Sequence, residues 1–199
     1  MPLSSYSYID NEHIYTDETT GVLKNKENLP DKELLQAFEG LKVSERLSQL
    51  QKNPILPTKA EDVLRIHRYL FQDVYDWAGQ VRVVEISKND NPFLFRKAFP
   101  KAFAYINTLL KELEAINADD KAKLADSLAE ILDNLNYAHF FREGNGRTQR
   151  EFLRCLALQK GYVLNLNPID DASVYDEYMQ GTIKGDIKAL SALILRTMS

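Results

Sequence analysis

A single cysteine, Cys155, stands in the 199 residues, so no disulfide can form within the chain. Its neighbours Phe152, Leu153, Leu156 and Ala157 make it a small buried hydrophobe, which suits a reducing cytosol. Positive charge is also short: 25 Lys and Arg face 29 Asp and Glu, a formal net charge of −4. That balance argues against a broad electrostatic footprint for DNA or RNA. No apolar run approaches the roughly 18 residues that cross a bilayer, and Met1 is not followed by a basic segment and an apolar stretch. The sequence therefore reads as soluble and cytoplasmic, with neither nucleic acid nor membrane as partner. Delivery into a host cell by a secretion machine that uses no cleavable signal is compatible with it. Internal repeats, low-complexity tracts and an alternating βαβ pattern are absent, which sets aside a Rossmann sheet.

What the chain does have is helical periodicity. A hydrophobic content of 44% and a charged content of 27% are globular values, and the length suits one large domain. Residues 1–30 are polar and turn-rich, an irregular arm that packs across the core through Tyr6, Tyr8 and Tyr15. From Asp31 to Gln51 a stripe of Leu34, Leu35, Phe38, Leu41, Val43 and Leu47 predicts one or two helices. Thr58 with Glu61 reads as a capping box ahead of a helix that carries Val63, Ile66, His67, Leu70 and Phe71. After Gly79 the period shortens toward two over Val81–Ser87. Lys88-Asn89-Asp90-Asn91-Pro92 supplies turn formers ahead of Phe93-Leu94-Phe95, and together they predict a β-hairpin. Helical spacing returns over 99–116, again from Asn117–Asp120 to 138, and again after Gly146 as far as Gly161. Two further helices follow Pro168. The expectation is an all-α domain of about six to eight helices with one small hairpin.

Between two of these helices lies His139-Phe140-Phe141-Arg142-Glu143-Gly144-Asn145-Gly146-Arg147-Thr148-Gln149-Arg150. Gly144 and Gly146 let the backbone take positive φ, and the amides that follow open a helix, which together make an anion nest. Arg147 and Arg150 lie three apart on one helical face, so their forks can run along a chain of phosphates. Glu143 beside bound phosphate calls for a bridging cation, and Mg²⁺ held by one carboxylate plus phosphate oxygens is the usual arrangement. His139 can take a proton from an attacking hydroxyl. Taken singly, a histidine at a helix end is an ordinary cap, a loop glutamate is solvated, and two arginines are surface charge. Their convergence beside Gly-Asn-Gly favours function. His67, on the apolar stripe of its helix, reads instead as a hydrogen-bonded core histidine.

This stretch resembles the signature H-P-F-x-[D/E]-G-N-G-R-x-x-R of the Fic domain family, with Phe140 in the proline position. Tyr75-Asp76-Trp77-Ala78-Gly79 with Arg82 is similar to the segment leading into that family's flap hairpin. The resemblance implies a Fic-type helical bundle in one structural domain. Residues 1–57 would form an arm and helices packing on a core of 58–199, with the flap at about 81–95 and the active-site loop at 139–150. It implies transfer of AMP from Mg-ATP to a hydroxyl of a target protein docked on the flap. His139 would be the base and Glu143 the metal ligand. Gly144, Asn145 and Gly146 would sit at the α-phosphate, with Arg147 and Arg150 on the β and γ phosphates. Gly146 stands where the related Doc-type kinases have a lysine, which favours nucleotidyl transfer.

Many family members are restrained by a helix bearing [S/T]-x-x-x-E-[G/N]. Ser173 to Glu177 is followed by Tyr178, and Glu39-Gly40 is preceded by Leu35, so both are near misses. The expectation is a separate small antitoxin that supplies the inhibitory glutamate, with this chain as the toxin of the pair. The rival readings are a catalytically impaired Fic-like module that binds peptides and a transferase that uses another nucleotide.

Overall fold

In the computed structural model, which describes residues 6–88 and 91–199, Asp31 opens the first helix. Its carboxylate accepts the Leu34 amide at 2.8 Å, and one helix, α1 (Lys32–Lys52), covers the stretch where one or two were expected. Leu35, Glu39, Val43 and Leu50 are its buried residues. The second helix, α2 (Asp62–Phe71), starts later than the sequence suggested. The Thr58–Glu61 capping box does not form, because Asp62 is the first helical residue and its carboxylate takes Thr58 N at 2.9 Å and Lys59 N at 3.2 Å. Glu61 instead accepts from Asn107 Nδ2 at 3.3 Å.

The chain separates into two compact units. The first comprises the stretch ending at Ile55, Val63–Phe99 and Ala138–Thr148. It holds α1, nearly all of α2 and a three-stranded antiparallel sheet in the order β1 (Tyr6–Ile9), β2 (Glu85–Lys88), β3 (Asn91–Pro92). Tyr8 pairs with Ile86, and Ser87 pairs with Pro92. The expected turn has its centre, Asn89 and Asp90, outside the described residues. The strand begins at Glu85 rather than Val81 because the preceding amides are taken elsewhere. Arg82 N donates to Phe140 O at 2.7 Å, and Val83 N donates to the Tyr15 hydroxyl at 3.0 Å. From Phe93-Leu94-Phe95, Phe93 N donates to Ile86 O at 3.0 Å. Tyr15, Val84 and Ile86 form the core behind the sheet, with Tyr8, Leu23, Trp77 and Phe93 packed on it, so Tyr8 and Tyr15 of the arm pack as expected, while the Tyr6 side chain lies outside what the structure describes.

The second unit comprises Leu56–Asp62, Pro100–Tyr137 and Gln149–Ser199. It is helical: α3 (Phe99–Ala115) and α4 (Lys121–Ala138) apart from their outermost residues, α5 (Asn145–Gln159) from Gln149 onward, α6 (Ala172–Lys184) and α7 (Ile187–Thr197). Leu124, Leu128, Ile131, Leu132 and Leu135 of α4 are buried, as their three-and-four spacing requires, and so are Phe152, Leu153 and Leu156 of α5. Cys155 is buried too, and burial pushes its thiol up to about 12. Gly185, at φ 62°, ends α6 in the left-handed region that suits glycine. Among the described residues no helix is long and apolar enough to cross a membrane.

Candidate active site

α4 stops at Ala138, and His139 turns the chain with a φ of 46°, rare for a residue with a side chain. The turn is held from outside. Arg82 donates from Nε to His139 O at 2.8 Å and from its main-chain N to Phe140 O at 2.7 Å, and the Phe93 ring stacks on the His139 ring at 3.9 Å. Phe140 is buried, with its ring edge-on to Phe99 at 5.0 Å. Proline at 140 would push residue 139 toward extended backbone, away from this turn, so packing and Arg82 fix the loop where the family pattern uses a ring.

The next five residues, Phe141 to Asn145, close on themselves. Asn145 Oδ1 accepts from Phe141 N at 3.0 Å and its Nδ2 donates to Phe141 O at 2.8 Å. The sequence pointed that amide at a phosphate; here it ties the loop. Gly144 takes φ 82°, and a Cβ there would lie 2.2 Å from Phe71 Cζ, so this position demands glycine twice over. Gly146 does not share the conformation. α5 begins at Asn145, with Thr148 N to Gly144 O at 3.1 Å as its first bond, and Gly146 sits helically in the first turn. The amides of Asn145, Gly146 and Arg147 therefore precede the helical ladder at the positive end of the dipole.

Glu143 is fixed by its backbone and by its side chain. His67 Nδ1 accepts from Gly79 N at 2.8 Å, which leaves the proton on Nε2 to donate to Glu143 O at 3.0 Å. The His67 ring stacks on Phe141 at 3.8 Å and on Phe71 at 4.6 Å, and burial lowers its pKa to about 3. It is the core histidine the sequence suggested, with a tie to the loop added. Glu143 Oε1 accepts from Gly144 N at 2.9 Å and lies 3.4 Å from Arg147 Nη2.

Glu143 and Arg147 open on a cavity of about 680 Å³ that Arg142, Tyr8, Glu39 and Tyr75 also line. Arg147 Nη2 is 2.6 Å from Glu39 Oε1, while the Tyr75 hydroxyl donates to Glu39 Oε2. Burial first, then the Glu39 charge, raises the Tyr75 pKa. The near-miss Leu35-x-x-x-Glu39-Gly40 thus brings its glutamate onto an arginine of the signature, the first rather than the second. Arg142 lies over the Tyr8 ring at 3.4 Å. In the second unit, Arg150 lies over the rings of Tyr175 and Tyr178, each at 5.2 Å, and Glu177 of the other near-miss pairs with Arg196 at 2.9 Å. The first unit therefore assembles His139, Glu143, Gly144, Asn145, Gly146 and Arg147. Glu39, Tyr75 and Arg82 join them; the sequence marked Glu39-Gly40 as a near miss and Tyr75 and Arg82 as part of the segment leading into the hairpin, and gave none of the three a role at the site.

Among the described residues no group of three or more His, Cys, Asp or Glu stands ready to hold a metal alone. A cation here would need ligands from a phosphate and from water beside the single Glu143 carboxylate, the habit of Mg²⁺.

A histidine beside a helix N-terminus that carries a carboxylate and a guanidinium is an arrangement that can take a proton and hold an anion next to it. The Fic/DOC family description matches residues 57–157, and the chain belongs to that family. It is 34% identical over 184 residues to the probable protein adenylyltransferase y4lH of Sinorhizobium fredii, covering 89% of this chain and 91% of that one. It is 30% identical to the probable protein adenylyltransferase Fic of Escherichia coli, over 89% and 88% respectively. Among solved structures, the VirB-translocated effector BepC of Bartonella tribocorum, with bound AMPPNP, superposes with a TM-score of 0.80 at 20% identity over 94% of this chain and 97% of that one. This likeness establishes the fold: mostly helical with a small antiparallel hairpin, as the resemblance implied.

Proposed function

We propose that the chain is a protein adenylyltransferase that moves AMP from Mg-ATP to a hydroxyl side chain of another protein. The observation that carries this reading is the placement of His139, Glu143 and Arg147 around the first turn of α5, in a chain whose relatives are named protein adenylyltransferases. His139 takes the proton of the target hydroxyl, whose oxygen forms a bond to the α-phosphorus, and the bond to pyrophosphate breaks. The Asn145, Gly146 and Arg147 amides face the phosphates, where the helix dipole favours negative charge. Glu143 would hold Mg²⁺, which when bound offsets phosphate charge. Arg147 grips the outer phosphates, and Arg150, three residues on, is assigned the γ-phosphate. A target strand would add to the hairpin by main-chain hydrogen bonds. Since β1 already pairs with β2, that strand would add at β3.

The test is incubation with labelled ATP, Mg²⁺ and a bacterial lysate beside His139→Ala. Label on a protein band that disappears in the variant is expected. Label from another nucleotide alone, or none from any, would replace this reading with the other transferase or with the peptide-binding module.

The same proposal places the chain in the cytoplasm as the toxin of a toxin–antitoxin pair, held by a small partner that supplies a glutamate. A second reading rests on the Glu39–Arg147 ion pair: the restraint is internal, and α1 carries it. A co-purified small partner whose removal raises activity supports the first; a rise on Glu39→Gln without any partner supports the second.

A further inference from the structure

Arg82 has no assigned part in the reaction, yet it stands among the largest fully buried side chains of the described residues. Burying a guanidinium costs several kcal/mol, and a well-packed apolar residue is often the more stable occupant, so its acceptors say what it is for. Nη1 donates to Val84 O at 2.6 Å and to Glu85 Oε2 at 3.0 Å, Nη2 donates to Leu94 O at 2.6 Å, and Nε donates to His139 O at 2.8 Å. The Phe99 ring lies under the fork at 5.0 Å. Val84 precedes β2 and Leu94 follows β3, so one planar group holds both legs of the hairpin and the backbone of the histidine.

These carbonyls lie where no ladder serves them, at the two ends of a short hairpin and at a left-handed turn. Only a fork with donors in three fixed directions reaches all three; the ammonium of lysine has no such planar spread. The main-chain amide of Arg82, on Phe140 O, adds a fourth point at the same place.

We propose that Arg82 is a positioning residue that sets the base His139 in register with the target-docking hairpin. A hydroxyl presented on the hairpin then meets the imidazole at reacting distance. This rests on His139 being the base and the hairpin the docking edge. A misplacement of about 1 Å at such a site can cost on the order of 100-fold in rate.

The test uses the full chain as Arg82→Lys and Arg82→Ala, each measured for nucleotide Kd and for kcat and KM of transfer to a target protein. Arg82→Lys is expected to lower kcat about 10- to 100-fold, with nucleotide Kd changed less than about threefold. Millimolar guanidinium, which can fill the vacated fork site, is expected to return several-fold of the Arg82→Ala activity, while the same concentration of sodium chloride returns none. A normal kcat in Arg82→Lys, a parallel loss of nucleotide binding, or an absence of rescue overturns the proposal. A readout free of activity accompanies these. The His139 ring ¹⁵N resonances, assigned by their loss in His139→Ala, should move in Arg82→Lys, and unmoved resonances also count against it. If the wild-type chain transfers no AMP while the resonances still move, the adenylyltransferase reading fails and the positioning stands. Should Arg82→Ala not fold, Arg82→Lys and its resonances decide.

Discussion

Arg147 is held by two carboxylates, Glu39 at 2.6 Å and Glu143 at 3.4 Å, and the shorter contact spends its charge inside the protein. Replacing Glu39 by Gln removes one unit of negative charge but leaves an oxygen for the Tyr75 hydroxyl, so the fold should persist. Under the internal-restraint reading, Glu39→Gln raises the initial rate of AMP transfer by about 5- to 30-fold, roughly what 1–2 kcal/mol of a partly buried pair corresponds to. Initial rates at limiting ATP measure it, and an unchanged rate ends that reading. Gly144 offers a sharper structural prediction. A methyl there meets Phe71 and a left-handed backbone at once, costs of about 1–3 and 1–2 kcal/mol, so Gly144→Ala should lower Tm by about 5–15 °C in a thermal melt. Residue by residue, the donors around the first turn of α5 were readable from the motif, whereas the partner of Arg147 was not. Glu39 lies 108 positions away, and its glutamate sits in a motif that lacks the usual leading hydroxyl.

At the scale of elements, helices declared themselves through three-and-four spacing because each buries one face, as α4 does with Leu124, Leu128, Ile131 and Leu135. Ends were harder to read. Asp62 displaced Glu61 as the capping acid, and α5 began one residue before Gly146 because the Asn145 side chain could fold back on Phe141. The strand β1 was invisible in the sequence, since its partner β2 lies nearly eighty residues on and four residues, Tyr-Ser-Tyr-Ile, are too few to establish a period. The cap that was read correctly makes a clean prediction: Asp31→Ala removes the acceptor of the Leu34 amide and should cost about 1 kcal/mol, lowering Tm by about 2–4 °C. A melt shift below one degree would mean that α1 draws its stability elsewhere.

For the molecule as a whole, acid sensitivity has an identifiable contributor. His67 is neutral when folded down to about 3, whereas an unfolded chain protonates it near 6.5. Below about 6.5 the unfolded state binds the extra proton, so stability falls as pH falls, by up to about 1.4 kcal/mol per unit, and the loss continues down toward pH 3. The contribution is fully present above that window. Urea unfolding at pH 7.5, 6.0 and 5.0 should show the decline, and His67→Phe, which keeps the ring stack, should flatten it even though the variant is less stable at pH 7.5.

The stack that holds His67 also contains Trp77, parallel to Tyr75 at 4.2 Å, and the chain has one tryptophan. Tyr75 is bonded to Glu39, which is paired with Arg147. A ligand that draws Arg147 away therefore disturbs a ring in contact with the sole strong fluorophore. Excited at 295 nm, the unlabelled protein carries its own optical gauge of nucleotide arrival, and a titration in a cuvette can follow occupancy while chemistry is still waiting for a target.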